Sequence, residues 1–140
     1  MTAITFENAS QIQRDEVVEL YESVGWMAYT VNPDLLLGAL QGSHSIVTAR
    51  DDGRLVGLAR AISDGVSIVY LQDILVRPTA QRQGVGRQLV SILLGAYEGV
   101  RQKVLITDVE EKQRAFYESL GFTESHDHDP GIRAFVHFTN

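Results

Sequence analysis

One stretch constrains this chain more than any other: residues 75–90, Leu-Val-Arg-Pro-Thr-Ala-Gln-Arg-Gln-Gly-Val-Gly-Arg-Gln-Leu-Val. An apolar strand runs into Pro78. A short basic loop follows and passes through Gly84 and Gly86 directly into an amphipathic helix. A strand that must hand over to a helix through so short a loop calls for an α/β arrangement. The first N–H groups of such a helix have no intrahelical acceptor, so the turn is a ready-made anion site. Arg77, Arg82 and Arg87 lie in or beside it, and a guanidinium favours the same anion as the helix N-terminus. The turn therefore predicts a phosphorylated cofactor.

The 140 residues suffice for one domain, 1–140, with a sizeable core. Cysteine is absent, which excludes a disulfide, a thiolate metal site and a cysteine nucleophile. No apolar run is long enough to span a bilayer, and the N-terminus lacks the layout of a signal peptide. A cytoplasmic protein with no membrane partner is expected. The net charge of −6 argues against a nucleic-acid partner.

Hydrophobic spacing organises the rest. Residues 3–6 read as a short strand, 10–24 as a helix stopped by Gly25, and 33–40 as a second helix with Pro33 in its first turn. Strands are expected at 45–50 and 55–62, joined by the hairpin turn Asp51-Asp52-Gly53-Arg54, and at 66–76. A helix over 85–100 and a strand over 103–107 imply a crossover with parallel strands. A helix over 111–120 ends at Gly121, and 122–124 and 132–138 read as closing strands. The fold class is α/β, one mixed central sheet with helices on both faces.

Two familiar phosphate signatures fail at the turn. A P-loop needs Gly-Lys-Ser/Thr, but Arg87-Gln88 follows Gly86. A dinucleotide fingerprint needs a third small residue where Leu89 stands, and normally follows the first strand. What remains is Gln81-x-x-Gly84-x-Gly86. By itself it serves equally as a tight strand–helix connection needing glycine for geometry.

A second motif adds to it: Arg114-Ala115-Phe116-Tyr117-Glu118-Ser119-Leu120-Gly121-Phe122 on the next helix. The order strand, QxxGxG, helix, strand, helix, FYxxxGF resembles the GNAT superfamily of acyl-CoA-dependent N-acetyltransferases over residues 45–122. Val24-Gly25-Trp26, Arg60-Ala61-x-Ser63-Asp64 and Gln72-Asp73-Ile74-Leu75-Val76 are similar to a bacterial branch related to plastid serotonin N-acetyltransferases.

The resemblance implies acetyl-CoA as cosubstrate. Its pyrophosphate would be held by backbone at Gln81, Arg82, Gln83, Gly84, Val85, Gly86 and Arg87. Its pantetheine arm would pair with the strand edge at Ile74, Leu75 and Val76, where this strand and the next splay apart. The Val76 N–H is the candidate for polarising the thioester carbonyl. Tyr117 matches the position of the general acid, next to the cofactor. A phenol of pKa about 10 can protonate a departing thiolate of pKa about 8.5. Read only as a residue on an amphipathic helix, Tyr117 fits a core aromatic as well.

Asp73 is the only acid within 66–76. It is open to two readings: a buried carboxylate with pKa raised for use as a base, or a structural acid. Alternation places Gln72 on the opposite face, so only one of the two can point at the acetyl group. Gln72 and Trp26 are the substrate-binding candidates, and Trp26 fits equally a loop anchored to the core. Many relatives carry an asparagine after the fifth strand. Residues 108–112 contain none, and Glu110 is the nearest aligned position.

No metal is expected. His126-Asp127-His128-Asp129 are successive loop residues, and successive residues seldom converge on one ion. His44 precedes a strand and His137 reads as strand surface.

The expected function is acetyl transfer to a primary amine, a small molecule, by direct attack in a ternary complex. A peptide or lysine acceptor is the runner-up. The rival class is a non-catalytic acyl-CoA-binding module, which could dispense with Tyr117 and Asp73, and a nucleotide-binding domain is a third. The apolar segment 134–136 offers an edge at which a homodimer could form.

Overall fold

The computed structural model describes residues 4–9 and 11–139. Ala3 and Ser10, the expected starts of the first strand and first helix, lie outside them. The chain divides into two compact units, Met1–Ile106 and Thr107–Asn140.

The first unit holds a five-stranded sheet in the order β1-β2-β3-β4-β5. Its strands are β1 (Ile4–Asn8), β2 (Ser45–Asp51), β3 (Arg54–Ser63), β4 (Ile68–Val76) and β5 (Gln102–Leu105). The first four pair antiparallel and β5 joins β4 in parallel, so the sheet is mixed as expected. At the β2–β3 hairpin, Asp52 and Gly53 adopt φ of 51° and 85°, the doubly left-handed turn that matches strand twist.

Three helices come between β1 and β2: α1 (Arg14–Ser23), α2 (Met27–Thr30) and α3 (Pro33–Gln41). The sequence reading missed α2, whose four residues carry no full helical period. Val17, Leu20 and Tyr21 of α1, with Leu36 and Leu40 of α3, pack with Leu58 and Leu75 in one core cluster. The opposite sheet face takes α4 (Val85–Gly95). A Cβ at Gly57 would lie 3.0 Å from Leu89 Cδ1 and 3.3 Å from Val85 Cγ1. Only a glycine lets α4 seat this closely on β3.

β4 starts at Ile68, not at residue 66. The Asp64 carboxylate accepts the N–H groups of Val66, Ser67 and Ile68. Those amides are thereby committed to a turn, and the Ser67 hydroxyl first, then these amides, hold the Asp64 carboxyl well below the usual range. α4 ends at Gly95, short of the expected residue 100, and a turn closed by Tyr97 N–H on Leu94 O follows it.

The second unit contains α5 (Glu111–Ser119) and a single 3-10 turn over Ser125–Asp127. Gly121, at φ 97°, ends the helix region as expected. The closing strands at 122–124 and 132–138 are not formed. Phe122 N–H bonds Tyr117 O at the helix end, and Arg114 holds Glu124 and Asp127. Residues 132–138 join no ladder, and Phe135 is 87% exposed. Alternating apolar residues make a strand only where a sheet edge accepts their backbone.

Candidate active site

The site is built on β4. Its pairing with β5 covers only Ile68–Leu71 against Gln102–Leu105. Beyond Leu71 the strand runs on to Val76 with β3 on one side and, among the described residues, no strand on the other. Arg77 N–H bonds Val56 O at 2.7 Å, so the ladder alternation turns the N–H groups of Ile74 and Val76 away from β3, to the open edge. The Leu75 side chain is buried in the core, and the same alternation turns its N–H to β3, so the expected cofactor contact at Leu75 has no group at the open edge.

The open edge leads straight into the glycine turn. A 3-10 turn at Pro78–Ala80 redirects the chain. Gln81 then reaches back, Nε2 donating to Val76 O at 2.9 Å. Arg82 and Gly84 take φ of 66° and 77°, and Gly84 is the N-cap of α4. The first helical bond runs from Gln88 N–H to Gly84 O, so the N–H groups of Val85 and Gly86 precede it and have no intrahelical acceptor. Gln81, Arg82, Gln83 and Arg87 are exposed around this helix end, while the Val85 side chain is buried. Arg77 departs from expectation. Its guanidinium is buried, 3.1 Å from Glu19 and bonded to Leu55 O. It ties β4 to α1 and does not serve the turn.

On the α1 side, β4 carries a buried polar cluster. Arg60 pairs opposite Asp73 and Ala61 opposite Leu71, which leaves Gln72 as an extra, bulged residue. Asp73 is 3% exposed. Its Oδ2 accepts Arg60 Nε at 2.6 Å and Tyr21 Oη at 3.0 Å, and its Oδ1 accepts Tyr29 Oη at 3.2 Å. Burial alone would pull the Arg60 guanidinium down, but the bonds and charge of Asp73 outweigh it and leave it above its ordinary value. Burial, then the Asp73 charge, pushes the Tyr21 phenol far up. The expectation that Gln72 and Asp73 face opposite ways fails. The bulge breaks the alternation, and Gln72 Nε2 also reaches Tyr29 Oη, at 3.4 Å.

Trp26 is half-buried at the start of α2, its ring edge-on to Tyr21 at 5.8 Å. Two open depressions lie elsewhere, one beside Glu16 and Arg50 and the other beside Leu37 and Leu40, and β4 lines neither.

Tyr117 belongs to the second unit. Its ring stands edge-on to Phe116 and Phe122 at 5.0 and 6.0 Å. Burial first, and the nearby Asp108 second, push its phenol up to about 12. Glu110 is the N-cap of α5 and pairs with Lys112. Glu124, His126 and Asp127 bring ligand atoms together at the surface, and Arg114 already binds both carboxylates. His44 Nδ1 lies 2.7 Å from the hydroxyl of buried Tyr97.

The β4 edge left open where β5 ends leads into a glycine-capped helix. The acetyltransferase (GNAT) domain family matches residues 21–140. This chain belongs to the GNAT family of N-acetyltransferases. An acetyltransferase of that family from Streptococcus pneumoniae shares 33% identity and a TM-score of 0.82, covering 96% of this chain and 98% of its own. An uncharacterised N-acetyltransferase of Porphyra purpurea is 27% identical over 92% of this chain and 75% of its own length. A chloroplastic serotonin N-acetyltransferase of Oryza sativa is 34% identical over 50% of this chain and 35% of its own. An aminoglycoside N-acetyltransferase solved with CoA shares the GNAT fold at a TM-score of 0.68 and 20% identity, over 99% and 96% of the two chains.

Tyr21, Tyr29 and Arg60 were not picked out as site residues from sequence. A signal for one pair existed: Arg60 is the lone charge within 55–62 and Asp73 the lone charge within 66–76. Opposite charges in neighbouring buried strands are stable only as partners.

Proposed function

We propose that this GNAT protein transfers the acetyl group of acetyl-CoA to the primary amine of a small molecule, by direct attack in a ternary complex. One observation carries the reading. Among the described residues, the β4 edge at 72–76 is unpaired, and the turn that follows it leads to the N–H groups of Val85 and Gly86, which have no intrahelical acceptor. An extended pantetheine arm needs the first and a pyrophosphate the second. Ile74 and Val76 would bond the arm, and the amides from Gln81 to Arg87 would cradle the pyrophosphate. Of the two strand amides, the Ile74 N–H lies farther from the pyrophosphate end of the strand and would polarise the thioester carbonyl, in place of the Val76 N–H expected from the sequence.

In the transfer, the N–C bond forms as the amine attacks and the C–S bond then breaks. The leaving sulfur takes the proton of Tyr117, and the proton lost by nitrogen restores the phenol through solvent. Of the two readings of Asp73 we take the structural one, because three donors already occupy its carboxylate. The acceptor then enters as the free amine, its proton left in solvent. The acidic protein, at −6, suits the approach of a cationic acceptor.

The test is CoA release from acetyl-CoA against arylalkylamines, polyamines, amino sugars and short peptides. One class of small amine should support release, and Tyr117→Phe should cut kcat by roughly 10²-fold or more. A phenol raised to about 12 stays protonated, so kcat/KM should climb with amine deprotonation. It should show no descending limb below about pH 11. Release with peptides alone would move the acceptor to proteins. CoA binding with no release would return the chain to the non-catalytic rival.

A further inference from the structure

Gln72 is bulged, exposed, and stands where the open edge of β4 begins, two residues before Ile74. Its side-chain amide donates to Tyr29 Oη at 3.4 Å. Chemistry fixes the polarity of that junction. A carboxylate only accepts and a guanidinium only donates. Arg60 Nη2 donates into the Tyr29 oxygen at 3.0 Å, and the single Tyr29 proton goes to Asp73 Oδ1. The Tyr29 oxygen then has only a lone pair left for Gln72. The amide atom facing it must be the NH2 group, since a carbonyl there would oppose oxygen to oxygen. Oε1 of Gln72 is thereby turned away from the cluster.

We propose that the buried Arg60–Asp73 pair, acting through Tyr29, orients Gln72 so that its Oε1 accepts a hydrogen bond from the acceptor amine. This rests on the acetyl-transfer reading above. Gln72 is then a substrate-positioning residue, and Tyr29 the residue that orients it. The acceptor so recognised keeps an N–H beside its attacking lone pair, as a primary amine does. A neutral carbonyl also suits the chemistry. A carboxylate there would favour the ammonium form and hold the proton on the nucleophile. An amide aims the nitrogen without stabilising its charged state.

A double-mutant cycle tests this, run with the best amine of the panel on proteins shown by thermal melts to be folded. Gln72→Ala should raise the amine KM by about tenfold, the worth of one good hydrogen bond. Tyr29→Phe should raise it by about threefold or more, because the amide is no longer held one way round. The double variant should match Gln72→Ala within about twofold, and the acetyl-CoA KM should stay within about twofold throughout. An amine KM unmoved by Gln72→Ala, or effects that multiply, would overturn the proposal. A second readout is free of activity: by NMR, the Gln72 side-chain amide protons should exchange more slowly in the wild type than in Tyr29→Phe, and equal rates would overturn it. A wild type that acetylates no amine removes the parent reading with this one. An active wild type with either negative result removes this inference alone.

Discussion

From Ile68 to Leu71, β4 is hydrogen-bonded on both sides, to β3 and to β5. From Gln72 to Val76 it is bonded on one side only. The first half alternates as a buried strand should and holds the apolar side chains of Val69 and Leu71. The second half starts with a bulge, buries an ion pair and leaves N–H groups at an open edge. Both belong to one uninterrupted strand. Structure consumes the backbone groups of the first half, and the second keeps some of its own in reserve for a ligand.

That contrast can be broken by substitution. The largest loss of stability should come from Arg60→Ala in the second half. It strands the Asp73 carboxylate in the interior, which costs about 3–5 kcal/mol. Urea unfolding measures it, and a loss below about 1 kcal/mol would mean that water reaches the pair. Leu71→Ala in the first half should cost about 2–5 kcal/mol through the cavity it leaves. Both KM values should hold in that variant, and a shift in either would erase the division between the halves.

Gly84→Ala sharpens the comparison at the exit of the strand. At φ 77° the added Cβ should cost about 1 kcal/mol and raise the acetyl-CoA KM severalfold, with Gly84→Asn milder. Steady-state kinetics on the three proteins would order them. The smallest effect belongs to Gln81→Ala, which frees Val76 O. It should cost about 0.5–1 kcal/mol and disturb acetyl-CoA more than the amine.

Much of this was legible in the residues. The glycine turn, the antiparallel meander and the parallel β5 follow from short-range spacing, and the structure places each where expected within a few residues. Three features were not legible. The bulge at Gln72 is a mismatch between two strands, and one strand's sequence does not carry it. The four-residue α2, which delivers Tyr29, is too short to show a period. The diversion of Arg77 to Glu19 depends on α1 packing beneath β4, so a basic residue beside the turn misled. Residues 132–138 show the converse. Their alternation is clear, and no ladder takes it up.

By itself, then, the sequence determined which segments form strands and helices in the first unit, α2 excepted, and that a helix N-terminus follows β4. Those choices rest on φ/ψ preferences and hydrophobic period, which are local. Tertiary structure alone decided that β5 stops at Leu105, that Gln72 and Asp73 meet at one tyrosine, and that Asp73 spends its charge on Arg60. Each of these is a pairing between residues distant in the chain. A residue's chemistry at such a place is set by what the fold brings against it.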